Sequence, residues 1–340
     1  MAAPGPTSSL LSVNTSYQDY QNKLNENNQK DVKNEYSKNT NSSSESQKST
    51  NLPYSEQAVS QENGSIREIF ELGGKTFFAD HVKKTRGLIN FGASGLNGRL
   101  IVFGPGLIEP LEELSKKFEE VVLVDYDKKS LELASKRLSC KKVICHKFDL
   151  NGELYKNLDA LFEKTIVEKS DFSVFHTRLE SILNNFKVKD SNISKILGKA
   201  DYVISSLVAS QLILLVRELF DNFIKFQFDL QLDTFESQKF YHNFAPISHM
   251  RHLNDLMDTL KPGGKIYFAD TITHKYLIPY VGEDRRFIYI EKKFLDEIRK
   301  NHEVVKENNW HWLSIPETGL GWEVQGFVLK KKTLTESAKQ

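Results

Sequence analysis

Cysteine is almost absent: Cys140 and Cys145 are the only two in 340 residues. So few exclude a disulfide framework and a zinc site readable from spacing, and lead us to expect reduced, buried thiols of an intracellular protein. An excess of charge is missing too, with 46 basic residues against 45 acidic ones. A large basic face is therefore not expected, and nucleic acid is not an expected partner. Short basic runs such as Lys83-Lys84-Thr85-Arg86 and Lys330-Lys331-Lys332 read as solvated faces. No apolar run is long enough to span a bilayer. The most membrane-like stretch, "YVISSLVASQLILLVRELF" from Tyr202, meets Arg217 well short of the ~20 apolar residues a span needs. The opening "MAAPGPTSSLLSVNTS" has no basic segment before a long apolar core, so no secretory signal is expected. Together these absences lead us to expect a soluble, cytoplasmic protein with no membrane partner and no metal.

What is present divides into two materials. Residues 1–62 include "NKLNENNQKDVKNEYSKNTNSSSESQKSTN", a polar tract with almost nothing to bury, which cannot offset its ordering entropy and is expected to be disordered. Residues 63–98 read as a helical cap, with helical spacing at Ile66, Ile69 and Phe70, then Gly73-Gly74 and a second apolar segment. From 99 to 332 strands alternate with helices, and 333–340 form a short tail. "RLIVFG", "EVVLVD", "KKVICHKFDL", "ADYVISSLV" and "KIYFADT" read as strands, separated by amphipathic segments. Residues 170–198 read as a polar, less regular section, and Lys261-Pro262-Gly263-Gly264 as a turn. Two late strands, in "NHEVVKENNWHWLSI" and "GWEVQGFVLKKK", leave no room for a crossover helix and must pair antiparallel. The expected fold is α/β: a doubly wound, mostly parallel seven-stranded sheet with a late antiparallel strand and helices on both faces.

In an open parallel sheet ligands sit beyond the carboxyl ends of the strands, and "LIVFGPGLIEPL" places Gly104-Pro105-Gly106 at such an end. Glycines there let a ligand approach the backbone. The dinucleotide fingerprint needs a third glycine where this chain has Glu109, a carboxylate that would repel a pyrophosphate. Asp125 ends the second strand, where a carboxylate suits the paired hydroxyls of a ribose. Asp149 follows the third strand, within reach of an adenine amino group. Gly104-Pro105-Gly106, Asp125, Asp149, "ADYVISSL" and "LKPGGKIYFADT" in this order resemble the motif series of class I S-adenosylmethionine-dependent methyltransferases, over residues 99–332.

The resemblance implies a Rossmann-like fold with S-adenosylmethionine as cofactor, and a small-molecule acceptor is our expectation. By the family pattern, the Gly104-Pro105-Gly106 loop passes close to the methionine part and Asp125 binds the ribose. Tyr126 lies against the adenine, Asp149 and Leu150 sit at its edge, and Ser205 stands beside the methionine and substrate. Val102 and Ile108 depart from the pattern, where the family often has an acid and a glycine, and motivate the alternative of a non-catalytic, methyltransferase-like interaction module. Methyl transfer rests mainly on alignment, worth ~7–11 kcal/mol, so no catalytic side chain is assigned. "ISSLV" lacks the Asp/Asn-Pro-Pro-Tyr run used on base amines and amide nitrogens. His249 and His252 read as a solvated helix surface. His274, Tyr276, Tyr280, Arg285 and Arg286 fall in the segment that often walls the substrate site. Trp310, His311 and Trp312 read as packing.

Overall fold

Runs of consecutive apolar residues in parallel strands need cover on both faces, and here they receive it. The computed structural model describes residues 75–106, 110–151, 154–186, 192–229, 234–277, 284–288, 290–315 and 320–332. All lie in the second of the chain's two units, Met1–Asn51 and Leu52–Gln340. The tail assigned to 1–62, the first part of the cap, Ile108, Glu109 and Tyr280 fall outside the described residues.

In chain order the elements are α1 (Lys75–Gly92), β1 (Arg99–Phe103), α2 (Pro110–Ser115), β2 (Glu120–Asp125), α3 (Lys128–Arg137), β3 (Lys142–Lys147), α4 (Leu154–Glu168), α5 (Phe172–Asn185), α6 (Ile193–Leu197), β4 (Ala200–Ser206), α7 (Val208–Phe228), α8 (Thr234–Asp258), β5 (Leu260–Leu277), β6 (Asp284–Ile288), α9 (Lys292–Asn301), β7 (His302–Ile315) and β8 (Leu320–Lys331). The sheet order is β3-β2-β1-β4-β5-β8-β7, with β6 paired to β5. The first five strands are parallel, and β8 inserts antiparallel between β5 and β7.

Alternate residues of each strand point to opposite faces. Leu100, Val102, Leu123, Ile204 and Tyr267 pack with Leu88 and Ile89 of α1, Leu114 of α2 and Leu131 of α3. On the other face Ile101, Phe103, Val203, Ile266 and Phe268 meet Leu197 of α6, Leu212 of α7, Leu256 of α8 and Ile298 of α9. A third, aromatic-rich cluster, with Phe162, Phe175 and Phe223, joins α4, α5 and α7.

The expected seven-stranded, mostly parallel sheet is present as the path β3-β2-β1-β4-β5-β8-β7, with β6 added off it, and three other expectations are corrected. β6 pairs with the far end of β5 through Thr273↔Ile288 to Leu277↔Asp284, and charged Asp284-Arg285-Arg286 masked its strand pattern. Because β8 borders β5 at Thr273–Lys275 as well, β6 takes the edge of β5 that β4 occupies lower down, and so stands past the carboxyl end of β4. The Lys261–Gly264 turn is an irregularity inside β5, between the pairs Ala200↔Leu260 and Tyr202↔Lys265, with Gly263 at φ +77°. The section 170–198 carries two helices. The Asp171 side chain accepts the Val174 N–H to cap α5, and Phe175 and Leu179 anchor that helix. The thiols are not buried: Cys140 is half-buried and Cys145 exposed, because β3 is an edge strand.

His249 and His252 are the largest departure from expectation. Both are buried, at 2% and 0% exposure, because α8 lies against the sheet with its polar turn inward. Desolvation holds His249 down at about 4 and His252 at about 3, from 6.5, and His81 of α1 is likewise lowered to about 4. Unfolded histidines take up protons below pH 6.5, whereas these folded ones resist until about 4 or 3. The stability they contribute is present above pH 6.5 and is lost as the pH falls. Desolvated Asp270, raised to about 6, acts in the opposite sense: its contribution is lost as the pH rises from 3.8 through 6. His302 is lowered too, by burial first and the nearby Lys332 and Lys331 charges next, so four histidines against one acid decide the sign. Unfolding free energy from urea denaturation is expected to fall between pH 7 and 5, and His252→Gln to flatten that fall.

Candidate functional site

The strand order reverses between β1 and β4. The chain leaving β1 enters α2 on one face, and the chain leaving β4 enters α7 on the other. A crevice at the carboxyl edge between them is the ligand position of open parallel sheets. Gly104 continues the ladder by one residue, its N–H donating to Val124 C=O at 2.9 Å. It is left-handed at φ +58°, as is Gly106 at φ +41°. The reasons for the two glycines differ. A Cβ on Gly104 would meet a methyl of Val208 in α7 at 2.7 Å, so that space belongs to packing. Among the described residues a Cβ on Gly106 would meet only Gly104 O, 3.8 Å away, so they leave the backbone there open to approach. Pro105 between them is buried.

Asp125 ends β2 and is half-buried. Its Oδ1 accepts the Asp127 N–H at 2.9 Å, which forms the turn into α3. Asp127 then caps α3, accepting the Lys129 N–H at 2.9 Å and the Ser130 hydroxyl at 2.7 Å. The Tyr126 ring stacks on Tyr155 of α4, 4.8 Å between centroids, with the Lys147 ammonium 5.3 Å over it. Asp149 accepts the Asn151 N–H at 2.8 Å and the Tyr155 N–H at 3.3 Å, so both of its oxygens meet the start of α4. Leu150 is buried in the core.

At the end of β4, Ser205 is fully buried and shares a hydrogen bond with His252 of α8, Oγ to Nε2, 2.8 Å. Phe103 lies edge-on to that imidazole, 5.7 Å between centroids. Leu207 follows with a left-handed backbone at φ +60°, an uncommon state for a leucine. It stands at the N-cap of α7 with no side-chain capping bond. Asp270 of β5 supplies the cap from outside, accepting the Ser210 N–H at 3.0 Å and the Thr271 N–H at 2.7 Å. Asn151 ties the neighbouring turns together, donating to Leu212 C=O and accepting from the Ser248 hydroxyl, both at 3.0 Å.

The edge thus brings together the Gly104–Gly106 loop, Asp125, Tyr126 and the Asp149–Leu150 turn at the ends of three adjacent strands, with Ser205 next along the order. Sequence reasoning missed His252, Asp270 and Tyr155. Asp270 was visible as the acid inside an apolar strand in "FADT"; His252 and Tyr155 gave no such signal. His274 and Tyr276 fall on the β5 extension, and Arg285 and Arg286 on β6. Trp310 is buried on β7, and His311 is exposed. Among the described residues no three His, Cys, Asp or Glu side chains group as a metal site, and no helix is long and apolar enough to cross a membrane.

The chain matches no family model and no curated protein sequence. Among solved structures it is similar to the N-methyltransferase NodS from Bradyrhizobium japonicum in complex with S-adenosyl-L-homocysteine, at 10% identity and a TM-score of 0.44, over 82% of this chain and 100% of that one. It is similar to an S-adenosylmethionine-dependent methyltransferase from Leishmania major at 17% identity and a TM-score of 0.40, over 82% and 83%. For one from Clostridium acetobutylicum the values are 11% and 0.40, over 79% and 99%.

Gly104→Ala is expected to lower unfolding free energy by about 2 kcal/mol or more, from the left-handed backbone and the overlap with Val208. Gly95→Ala, also at positive φ but with nothing among the described residues within 4 Å, measures the backbone part. Urea denaturation of the two variants separates the contributions.

Proposed function

We propose that the chain is an S-adenosylmethionine-dependent methyltransferase acting on a small molecule. The observation that carries this reading is the β1/β4 reversal with its ligand-facing groups in register: an open left-handed backbone at Gly106, a half-buried acid ending β2, and an aromatic ring beside it. A carboxylate at Asp125 accepts the two hydroxyls of a ribose. Tyr126, fixed by Tyr155, offers a ring to adenine, with Leu150 at its edge. Gly106 admits the methionine part near the backbone. Asp149, both oxygens already engaged by the start of α4, acts in this reading by fixing that turn.

When bound, the cofactor supplies an electrophilic methyl group on a sulfonium. The chain's own contribution is alignment and exclusion of water. Buried Ser205 and His252 hold the end of β4, and β6 rises beside it on the acceptor side. Val102, where many relatives of the proposed class carry an acid, is fully buried among apolar residues of β1. An acid there would be desolvated, so in this chain the methionine ammonium is met from the loop rather than from β1. The free thiols, one of them exposed, support a reducing, cytoplasmic setting.

Isothermal titration with S-adenosylhomocysteine tests the proposal. Binding is expected, and Asp125→Ala should weaken it roughly 10- to 100-fold, the size of hydrogen bonds to a charged acceptor, with an unchanged thermal melt. Absence of binding at millimolar ligand would leave the non-catalytic interaction module as the reading.

A further inference from the structure

The Tyr126 ring has two faces, and the chain itself covers both. Exposure rises in order from buried Tyr155, through half-buried Tyr126, to exposed Lys147. Tyr155 therefore backs the inner face, 4.8 Å between centroids and 30° from parallel. Two rings stacked this closely leave no room for an ammonium between them. The Lys147 ammonium, over the ring at 5.3 Å from its centroid, accordingly covers the outer face.

The two covers are held with unequal firmness. Tyr155 packs in the aromatic-rich cluster with Phe162, Phe175 and Phe223. Its backbone N–H donates to Asp149, and its hydroxyl meets the Asn151 side chain. Asn151 is in turn tied to Leu212 C=O and to the Ser248 hydroxyl. Moving Tyr155 would open the core. Lys147 is the last residue of β3, an edge strand, and its side chain is exposed. Withdrawing it returns the ammonium to water and gives up only an exposed cation–π contact, which is weak.

The cover also stands at the site. Lys147 is the register partner of Asp125, so the two side chains leave the carboxyl ends of adjacent strands. A flat ring that stacks on Tyr126 must take the outer face, and Lys147 must leave it. Stacking of a base on an aromatic ring outweighs an exposed cation–π contact, so a nucleoside displaces the ammonium. An aliphatic fragment has no ring to offer in exchange.

We propose that Lys147 is a movable cover on the base subsite and selects for ligands that carry a flat aromatic ring. Its ammonium holds the outer face of Tyr126 until a base replaces it. That the base is the adenine of S-adenosylmethionine rests on the methyltransferase reading; the exchange itself requires only a nucleoside.

Calorimetry and NMR of the full chain test it, with S-adenosylhomocysteine and adenosine as the probes. Lys147→Ala removes the competing ammonium and is expected to tighten both ligands about two- to fivefold, the strength of an exposed cation–π contact. Lys147→Arg, whose planar guanidinium covers a ring better, should bind both more weakly than the natural chain. In a Tyr126→Leu background the gain from Lys147→Ala should vanish. With lysine labelled, the Lys147 ε-methylene protons should lie upfield without ligand, in the ring current of Tyr126. They should move to the ordinary lysine position at saturation, and Lys147→Ala assigns the signal. Unchanged or weaker binding of S-adenosylhomocysteine by Lys147→Ala overturns the cover and leaves the cofactor reading standing. A signal that stays upfield at saturation does the same. Adenosine binding with the gain intact, while S-adenosylhomocysteine does not bind, keeps the cover and removes the cofactor reading. Binding of neither probe to any variant removes both.

Discussion

Val208 occupies the space in which a side chain at residue 104 would sit, and the carboxyl edge is organised around that contact. β1 and β4 are neighbours whose chains leave for opposite faces of the sheet. For a crevice to open above them, the two exits must start from closely packed backbone. A glycine at 104 allows α7 to begin against β1, while its N–H keeps the ladder to β2 for one more residue. The loop therefore starts at Pro105, and the open approach falls at Gly106 rather than Gly104. A single glycine-rich signature thus covers two physical jobs, one internal to the fold and one facing outward.

The turn from β4 into α7 is clamped from three directions. His252 reaches Ser205 from α8, Asp270 caps the helix start from β5, and Leu207 N–H donates to Ala269 C=O at 2.7 Å. Leucine in a left-handed conformation is costly by itself, and it persists where the surroundings over-determine it. Its side chain packs with the apolar cluster on the α1 face, which offsets part of that cost. The buried polar turn of α8, Ser248 to His252, has its use here: it fixes a strained junction at the carboxyl edge of the sheet.

The sheet was legible in the sequence because its strands are buried on both faces. "RLIVF", "EVVLV" and "ADYVISS" are apolar without interruption, and no helix period competes with them. The antiparallel placement of β8 followed from the missing crossover. What the sequence hides has another cause. Polar side chains usually lie at the surface, and only tertiary contacts with Ser205 and the α7 turn make His249 and His252 interior. β6 and α5 were obscured by charge and polarity in segments that pack at the periphery. Of the edge residues, Gly104, Gly106, Asp125 and Asp149 were visible from position alone, but position did not reveal what each one touches.

That distinction matters most for the acids. Four carboxylates stand at or near strand ends: Asp125, Asp127, Asp149 and Asp270. Three of them meet helix starts, Asp127 at α3, Asp149 at α4 and Asp270 at α7, where unpaired N–H groups and the helix dipole favour negative charge. Such capping is what a strand-end acid does in an α/β fold whether or not a ligand is present. Spacing from the glycine loop alone therefore does not separate a helix-capping role from a ligand-facing one at Asp149. Asp125 differs in place: its Oδ1 accepts the Asp127 N–H in the turn leaving β2, and Phe148 N–H donates to its backbone C=O at 2.9 Å, so it is held half-buried at a strand end rather than at a helix start.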